Sequence, residues 1–252
     1  MNSAASPARF DRTLRFLRAR LSPTGYAGLQ LTAGIVALLL ASALFGMLAE
    51  DVFTGDPIVQ LDHSVAVWLH AHAFEPLTTA MLVVTNVHST LGVSILAALC
   101  GAWLAWKRYR WWLLTLALAL PGGMLVNVLM KYAFHRARPN LDNPLVTLST
   151  YSFPSGHTAG AMLFYGTLAA FAVARISGWH ARAWTAAAAL AMAALVGFSR
   201  MYLGVHYLSD VIGAALESLA WLALCLTVVN TLRGRRAAQT EPPIGPALVA
   251  GQ

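Results

Sequence analysis

Polar residues in this chain fall in short clusters separated by apolar runs too long for strands and too uniformly apolar for the surface helices of a soluble protein. The runs near 26–48, 77–106, 111–130, 155–176, 183–201 and 206–232 are each about long enough for an α-helix, rising 1.5 Å per residue, to cross ~30 Å of hydrocarbon. They predict six transmembrane helices and an all-α fold. Ahead of them, residues 1–25 place Phe10, Leu14, Leu17 and Leu21 on one helical face among Arg9, Arg12, Arg15, Arg18 and Arg20, the pattern of a helix lying in a membrane interface. Residues 50–76 gather acids with His63, His70 and His72, and the alternation of Val65, Val67 and Leu69 predicts a short interfacial element there. The organisation expected is a basic amphipathic segment over 1–25, a six-span membrane domain over 26–232, and a disordered Pro/Ala/Gly-rich tail over 233–252.

Composition narrows the picture further. With 58% hydrophobic and 11% charged residues and a mean hydropathy of +0.62, the chain is no soluble globule. Its net charge of +7 does not argue for nucleic acid, because the cations stand at the ends of apolar runs. Six crossings put residues 1–25, the loops after the second and fourth spans, and the tail on one side. That side holds the five N-terminal arginines, Lys107, Arg108, Arg110, Arg175, Arg182, Arg233, Arg235 and Arg236. The positive-inside rule makes it cytoplasmic, in an inner membrane. Lys131, Arg136, Arg138 and Arg200 remain on the disfavoured side, where cations need a reason. Cys100 and Cys225 lie within apolar runs and read as inert thiols.

All four of those cations fall within short motif stretches, of which there are three: Lys131 to Pro139 (KYAFHRARP), Pro154 to His157 (PSGH) and Ser199 to Asp210 (SRMYLGVHYLSD). Span counting brings all three to the external face. Lys131, Arg138 and Arg200 would neutralise phosphate oxygens, arginine with a forked set of donors. Ser155, Gly156 and His157 open a helix whose N–H groups and dipole favour an anion, with Gly156 allowing close backbone approach. His206 and Asp210, four apart, share a helical face, so the carboxylate can orient the ring as a nucleophile, which leaves His157 as the acid for the leaving group.

The motifs K-x6-RP, PSGH and SR-x5-H-x3-D, in this order and spacing, resemble the signature of the type 2 phosphatidic acid phosphatase (lipid phosphate phosphatase) superfamily. The resemblance implies a six-helix membrane bundle with a vanadium-haloperoxidase-like catalytic core, a phosphohistidine intermediate on His206, and no metal or other cofactor. It implies a lipid phosphate as substrate: phosphatidic acid, phosphatidylglycerol phosphate or undecaprenyl pyrophosphate. Soluble vanadium haloperoxidases share the signature, but six spans argue against their chemistry here. A lipid phosphotransferase using the same site and a transporter or binding protein for lipid phosphates stand as rivals, the second disfavoured by an intact His206 and Asp210. Membrane lipids surround the protein, and nothing in the sequence specifies an oligomeric state.

Other polar residues read more plainly. Arg136, His135 and His180 are expected as structural residues or helix-end anchors. His63, His70 and His72 beside Asp62 lack the regular spacing of a metal site. Glu217, within a span, must face the bundle interior, paired with Asn86, His88 or Asn127, or serve a polar path below the site.

Overall fold

The structure is a computed structural model describing residues 28–240 except 56, 143 and 147. Among the described residues all regular structure is helical: α1 (Leu29–Thr54), α2 (Pro57–Ala71), α3 (Leu77–Val87), α4 (Thr90–Trp106), α5 (Arg110–Phe134), α6 (Gly156–Val173), α7 (Trp179–Tyr202) and α8 (Leu208–Thr240). The segments 1–25 and 241–252 lie outside the described residues. The all-helical expectation holds. Four helices, α1, α5, α7 and α8, are individually long and apolar enough to cross a membrane, and α3 with α4, bent by 54° at a short break, makes a fifth such unit. The remaining predicted run, the fourth, is α6, 18 residues long.

The short interfacial element expected around Val65, Val67 and Leu69 is a helix over 57–71, whose buried face is Asp62, Ala66 and Leu69, a spacing of four and three. One expectation is corrected. The last helix does not end at Leu232 but runs through the arginines to Thr240, so the start of the expected disordered tail is helical.

The bundle is inside-out relative to a soluble protein. Large apolar side chains such as Leu39, Leu99, Trp106 and Leu129 face outward, whereas Thr85, Asn127, Ser199, Arg200, Asp210 and Glu217 are buried. Lipid is as apolar as leucine, so helices are held by close packing and by polar groups satisfied within the bundle. Glycine supplies the close packing. At Pro121-Gly122-Gly123 of α5, a Cβ on Gly122 would come 2.6 Å from the Trp221 ring of α8, and one on Gly123 would come 2.5 Å from Leu163 of α6. Trp221 also donates to the Leu118 carbonyl at 3.1 Å. α6, with Ala159, Ala161 and Leu163 fully buried, runs through the middle of the bundle.

Gly213 performs the same service close to the catalytic motifs. A Cβ there would lie 2.7 and 2.8 Å from ring atoms of Phe153, which is itself fully buried just ahead of Pro154. We expect Gly213→Ala to lower stability by about 1–3 kcal/mol, the usual consequence of overpacking a filled core. Thermal melting in detergent measures it, and an unchanged midpoint would show that Phe153 can yield.

Candidate active site

The three motifs converge at one end of the bundle. Lys131 stands in the last turn of α5, Ser155 caps α6 ahead of Gly156 and His157, Arg200 lies in the last turn of α7, and His206 occupies the turn between α7 and α8. Asp210 is in the first turn of α8. Backbone bonds tie these pieces together: the Ser155 N–H donates to the Asp210 carbonyl at 3.0 Å, and the Ser152 N–H donates to the Arg136 carbonyl at 2.8 Å.

The geometry determines the His206 tautomer. Nε2 of His206 lies 3.2 Å from Nη1 of Arg138, and Nδ1 lies 3.2 Å from Oδ2 of Asp210. A guanidinium can only donate, and an ionised carboxylate can only accept. The proton therefore sits on Nδ1, directed to Asp210, and the Nε2 lone pair faces the cation. Burial favours the neutral ring and depresses its pKa, while the hydrogen bond donated to Asp210 opposes that shift. Burial likewise lowers the pKa of Arg138, against the pull of Asp210.

The cations are positioned before any substrate is present. Arg138 donates to the carbonyls of Val205 at 2.6 Å, Thr150 at 2.7 Å and Tyr151 at 3.2 Å, and to the Thr150 hydroxyl at 2.9 Å. Lys131 reaches the carbonyls of Tyr151 and Ser152 at 2.9 and 3.2 Å. Arg200, 2% exposed, donates to the Thr85 hydroxyl, and its Nε has no partner among the described residues. No side chain caps the first turn of α6, whose N–H groups stay available to an anion. The Ser155 hydroxyl instead accepts from Thr158 at 3.0 Å. His157 stands in the electrostatic field of Arg200, His206 and Arg138, beside a cavity of about 40 Å³ that His88 and Met124 also line. All eight residues singled out in the sequence, Lys131, Arg138, Ser155, Gly156, His157, Arg200, His206 and Asp210, thus meet at this end of the bundle.

Behind His206 lies a network that the sequence did not reveal. Arg136, expected as a structural residue or helix-end anchor, is structural: it is clasped between two fully buried carboxylates, donating to Oδ1 of Asp210 at 2.6 Å and to Oδ2 of Asp62 at 2.7 Å. It also donates to the Ser209 hydroxyl at 2.7 Å and lies 4.4 Å above the Tyr207 ring. Asp62 accepts from the Ser209 N–H at 2.9 Å and from its hydroxyl. Asp210 further accepts from the Tyr207 N–H at 2.8 Å and from the Ser152 hydroxyl. Two signals were present in the sequence: a cation on the disfavoured side, and an acid on the buried face of α2. They lie 74 residues apart, so no local pattern joins them.

The remaining expectations resolve individually. Glu217 pairs with Asn127, whose amide donates at 3.0 Å. His135 caps α5 in a left-handed conformation against Tyr151, and His180 stacks on Trp179. His63 packs on Tyr207 while His72 stacks on Trp68, and no group of three or more metal-ligating side chains forms among the described residues.

With the geometry established, three comparisons bear on it. The PAP2 superfamily model matches residues 110–233. The chain is similar to phosphatidylglycerophosphatase B of Bacillus subtilis (strain 168), 34% identical over 140 residues that make up 54% of this chain and 68% of that protein. It is also similar to YbjG of Escherichia coli (strain K12), provisionally named an undecaprenyl-diphosphatase, 30% identical over 131 residues, 50% of this chain and 61% of that one. The crystal structure of a transmembrane PAP2-type phosphatidylglycerolphosphate phosphatase from Bacillus subtilis superposes with a TM-score of 0.64 at 26% identity, over 82% of this chain and 98% of the other.

The carboxylate clasp makes a quantitative expectation. Arg136→Gln leaves two buried carboxylates uncompensated and should destabilise the protein by about 3–5 kcal/mol. Adding Asp62→Asn removes one of those charges and should restore part of the loss. Strictly additive effects in this double-mutant cycle would show that the clasp contributes packing rather than charge pairing.

Proposed function

The chain belongs to the PAP2 superfamily, and from that premise we propose that it hydrolyses a lipid phosphomonoester or pyrophosphate through a phosphohistidine on His206. The observation that carries this reading is the oriented ring, with Nδ1–H held by Asp210 and the Nε2 lone pair directed among fixed cations. Binding alone needs no such nucleophile, which weighs against a transporter.

In the proposed cycle Arg138 moves from Nε2 onto the incoming phosphate, and Lys131, Arg200 and the first turn of α6 hold its oxygens. Nε2 attacks phosphorus, its lone pair forming the N–P bond as the bond to the leaving oxygen breaks. His157 donates the proton that oxygen needs, its own positive charge offset by the substrate's anion. Asp210 stabilises the cationic ring. Water, deprotonated by His157, then displaces His206, and phosphate leaves with the proton balance restored. Three fixed cations perform the charge neutralisation that a divalent ion provides in metal-dependent phosphatases, so the reaction is proposed to need no metal. Passing the phosphoryl group to a lipid hydroxyl would use the same first step.

The 34% identity to phosphatidylglycerophosphatase B favours phosphatidylglycerol phosphate as the first substrate to test, with phosphatidic acid and undecaprenyl pyrophosphate beside it. The proposed setting is a six-span bundle, with the central α6 as the fourth span and a core of the haloperoxidase type, in an inner membrane. Both ends of the chain are cytoplasmic in this arrangement and the site opens externally, because Lys107, Arg108, Arg110, Arg175, Arg182, Arg233, Arg235 and Arg236 all lie at the other end.

His206→Ala should abolish phosphate release from all three lipids while the protein still melts as the wild type does; retained turnover would exclude the phosphohistidine route. Vanadate, which readily becomes five-coordinate, should inhibit far more tightly than phosphate, since the cations surround a phosphoryl group in transit. Similar inhibition constants for the two ions would favour a binding site.

The pH dependence follows from the direction of the His206 shift. A pKa depressed by burial leaves the nucleophile neutral above that value, and activity is lost as pH falls through it. The acid limb of kcat/KM assigned to this ring should therefore lie below the ordinary histidine value of about 6.5. A limb above it would show that the cation is stabilised in the free enzyme.

A further inference from the structure

The end of the bundle opposite the catalytic site has a different character. Lys107, Arg108, Arg110, Arg175, Arg182, Arg233, Arg235 and Arg236 all lie there, and no carboxylate does among the described residues. The positive-inside rule accounts for their number but not for their convergence. Arg108 and Arg110 come from the α4–α5 turn, Arg175 from the end of α6, and Arg233 from the last turns of α8. Together with Tyr109 and Trp111 they line one cleft of about 450 Å³.

Arg175 is held in place: its guanidinium lies 4.3 Å from the Tyr109 ring and 3.7 Å from the Phe171 ring. Arg108 holds a left-handed conformation, φ 59°, which side-chain-bearing residues rarely adopt. None of the ion pairs in the described structure involves these arginines. Four like charges drawn to one concavity without counter-charge repel one another, and an anion relieves that.

The shape of the neighbouring space narrows the choice of anion. Arg110, Trp111 and Arg233 continue into an adjoining cavity of about 280 Å³. Arg233 also heads a groove of about 650 Å³ between α1 and α8, whose floor includes Leu31, Ala37, Leu222 and Leu226. An arginine-rich mouth opening onto an apolar groove matches a molecule with an anionic head and a hydrocarbon chain. The chain's own residues 1–25 are a poor alternative occupant, since their five arginines would meet like charge.

We propose that this cleft and groove bind an anionic phospholipid of the leaflet opposite the catalytic site, with its phosphodiester against Arg110 and Arg233 and an acyl chain between α1 and α8. Basic pockets between helices on the cytoplasmic side are recognised sites for acidic headgroups. The phosphodiester at this end is bound, not hydrolysed, because no histidine, cysteine or carboxylate lines the cleft or the groove among the described residues.

The test uses the full chain purified in detergent, with its melting midpoint followed as dioleoyl phosphatidylserine, dioleoyl phosphatidylcholine or inorganic phosphate is added. Phosphatidylserine is chosen because it is an anionic diester and no product of the proposed reaction. It should raise the midpoint, and phosphatidylcholine and inorganic phosphate should not. Arg110→Gln/Arg233→Gln should weaken the phosphatidylserine response roughly 10- to 30-fold in concentration, as removing two charges near a headgroup implies. Lys107→Gln/Arg182→Gln, which removes equal charge from the same end but outside the cleft, should leave it unchanged. The proposal fails if both lipids act alike, if neither acts, if phosphate alone suffices, or if the two double variants lose the response equally.

Discussion

The interaction on which the rest of this structure depends is the Arg136 guanidinium shared by Asp62 and Asp210. Two carboxylates with no solvent exposure stand close to one another in a membrane bundle, a combination that is costly unless a cation lies between them. Arg136 serves both, and its planar fork allows it to do so with separate nitrogens. The consequences spread outward. Asp62 docks α2 against the start of α8, the Arg136 carbonyl anchors Ser152 in the loop before α6, and Asp210 turns its other oxygen, Oδ2, to His206, the Tyr207 N–H and the Ser152 hydroxyl. The His206 tautomer is therefore set through Asp210, which Arg136 holds in place.

Placing so much polarity inside a membrane protein requires that each buried group find its partner within the bundle. Here the partners are largely main-chain carbonyls in the loop between α5 and α6, which bind Lys131 and Arg138. Neutral acceptors fix the direction of a cation without cancelling its charge, as carboxylates would. The cations therefore remain available to an anion and, apart from the shift of Arg138 off His206 Nε2, need little reorganisation when one arrives, the condition under which electrostatic stabilisation of a transition state is most effective.

What the sequence made legible follows the same physics. Apolar runs in a membrane report helices directly, because the hydrocarbon thickness sets their length, and the predicted runs match the observed helices to within a few residues at most ends. The motif residues were legible because phosphate chemistry needs cations, a nucleophile and an acid in one place, and span counting showed that they could meet. Asp62 and Arg136 were not, since their pairing is tertiary and each alone resembles an ordinary interfacial charge. Residues 57–71 were legible only as a short interfacial element of unspecified type, because over so short a stretch alternation and helical periodicity share several positions, and only Asp62, Ala66 and Leu69, buried together, separate them. The extension of α8 to Thr240 was masked by its arginines, which mark the end of the apolar run but favour helix.

α8 joins two clusters of positive charge that differ in what surrounds them. At its start the cations are wholly or partly buried, Lys131 and Arg138 tied to carbonyls and Arg136 balanced by Asp62 and Asp210. Near its end Arg233, with Arg110 and Arg175 beside it, is exposed and pairs with no carboxylate among the described residues. A buried, oriented cation pays its desolvation when the protein folds, so its attraction can be concentrated on a charge that develops during reaction. An exposed one stays hydrated and screened, and attracts whichever anions the nearby leaflet presents. The same residue type at the two ends of one helix thus suits different tasks, chemistry at the buried end and lipid recognition at the exposed end, and the difference rests on burial and counter-charge rather than on the arginines themselves.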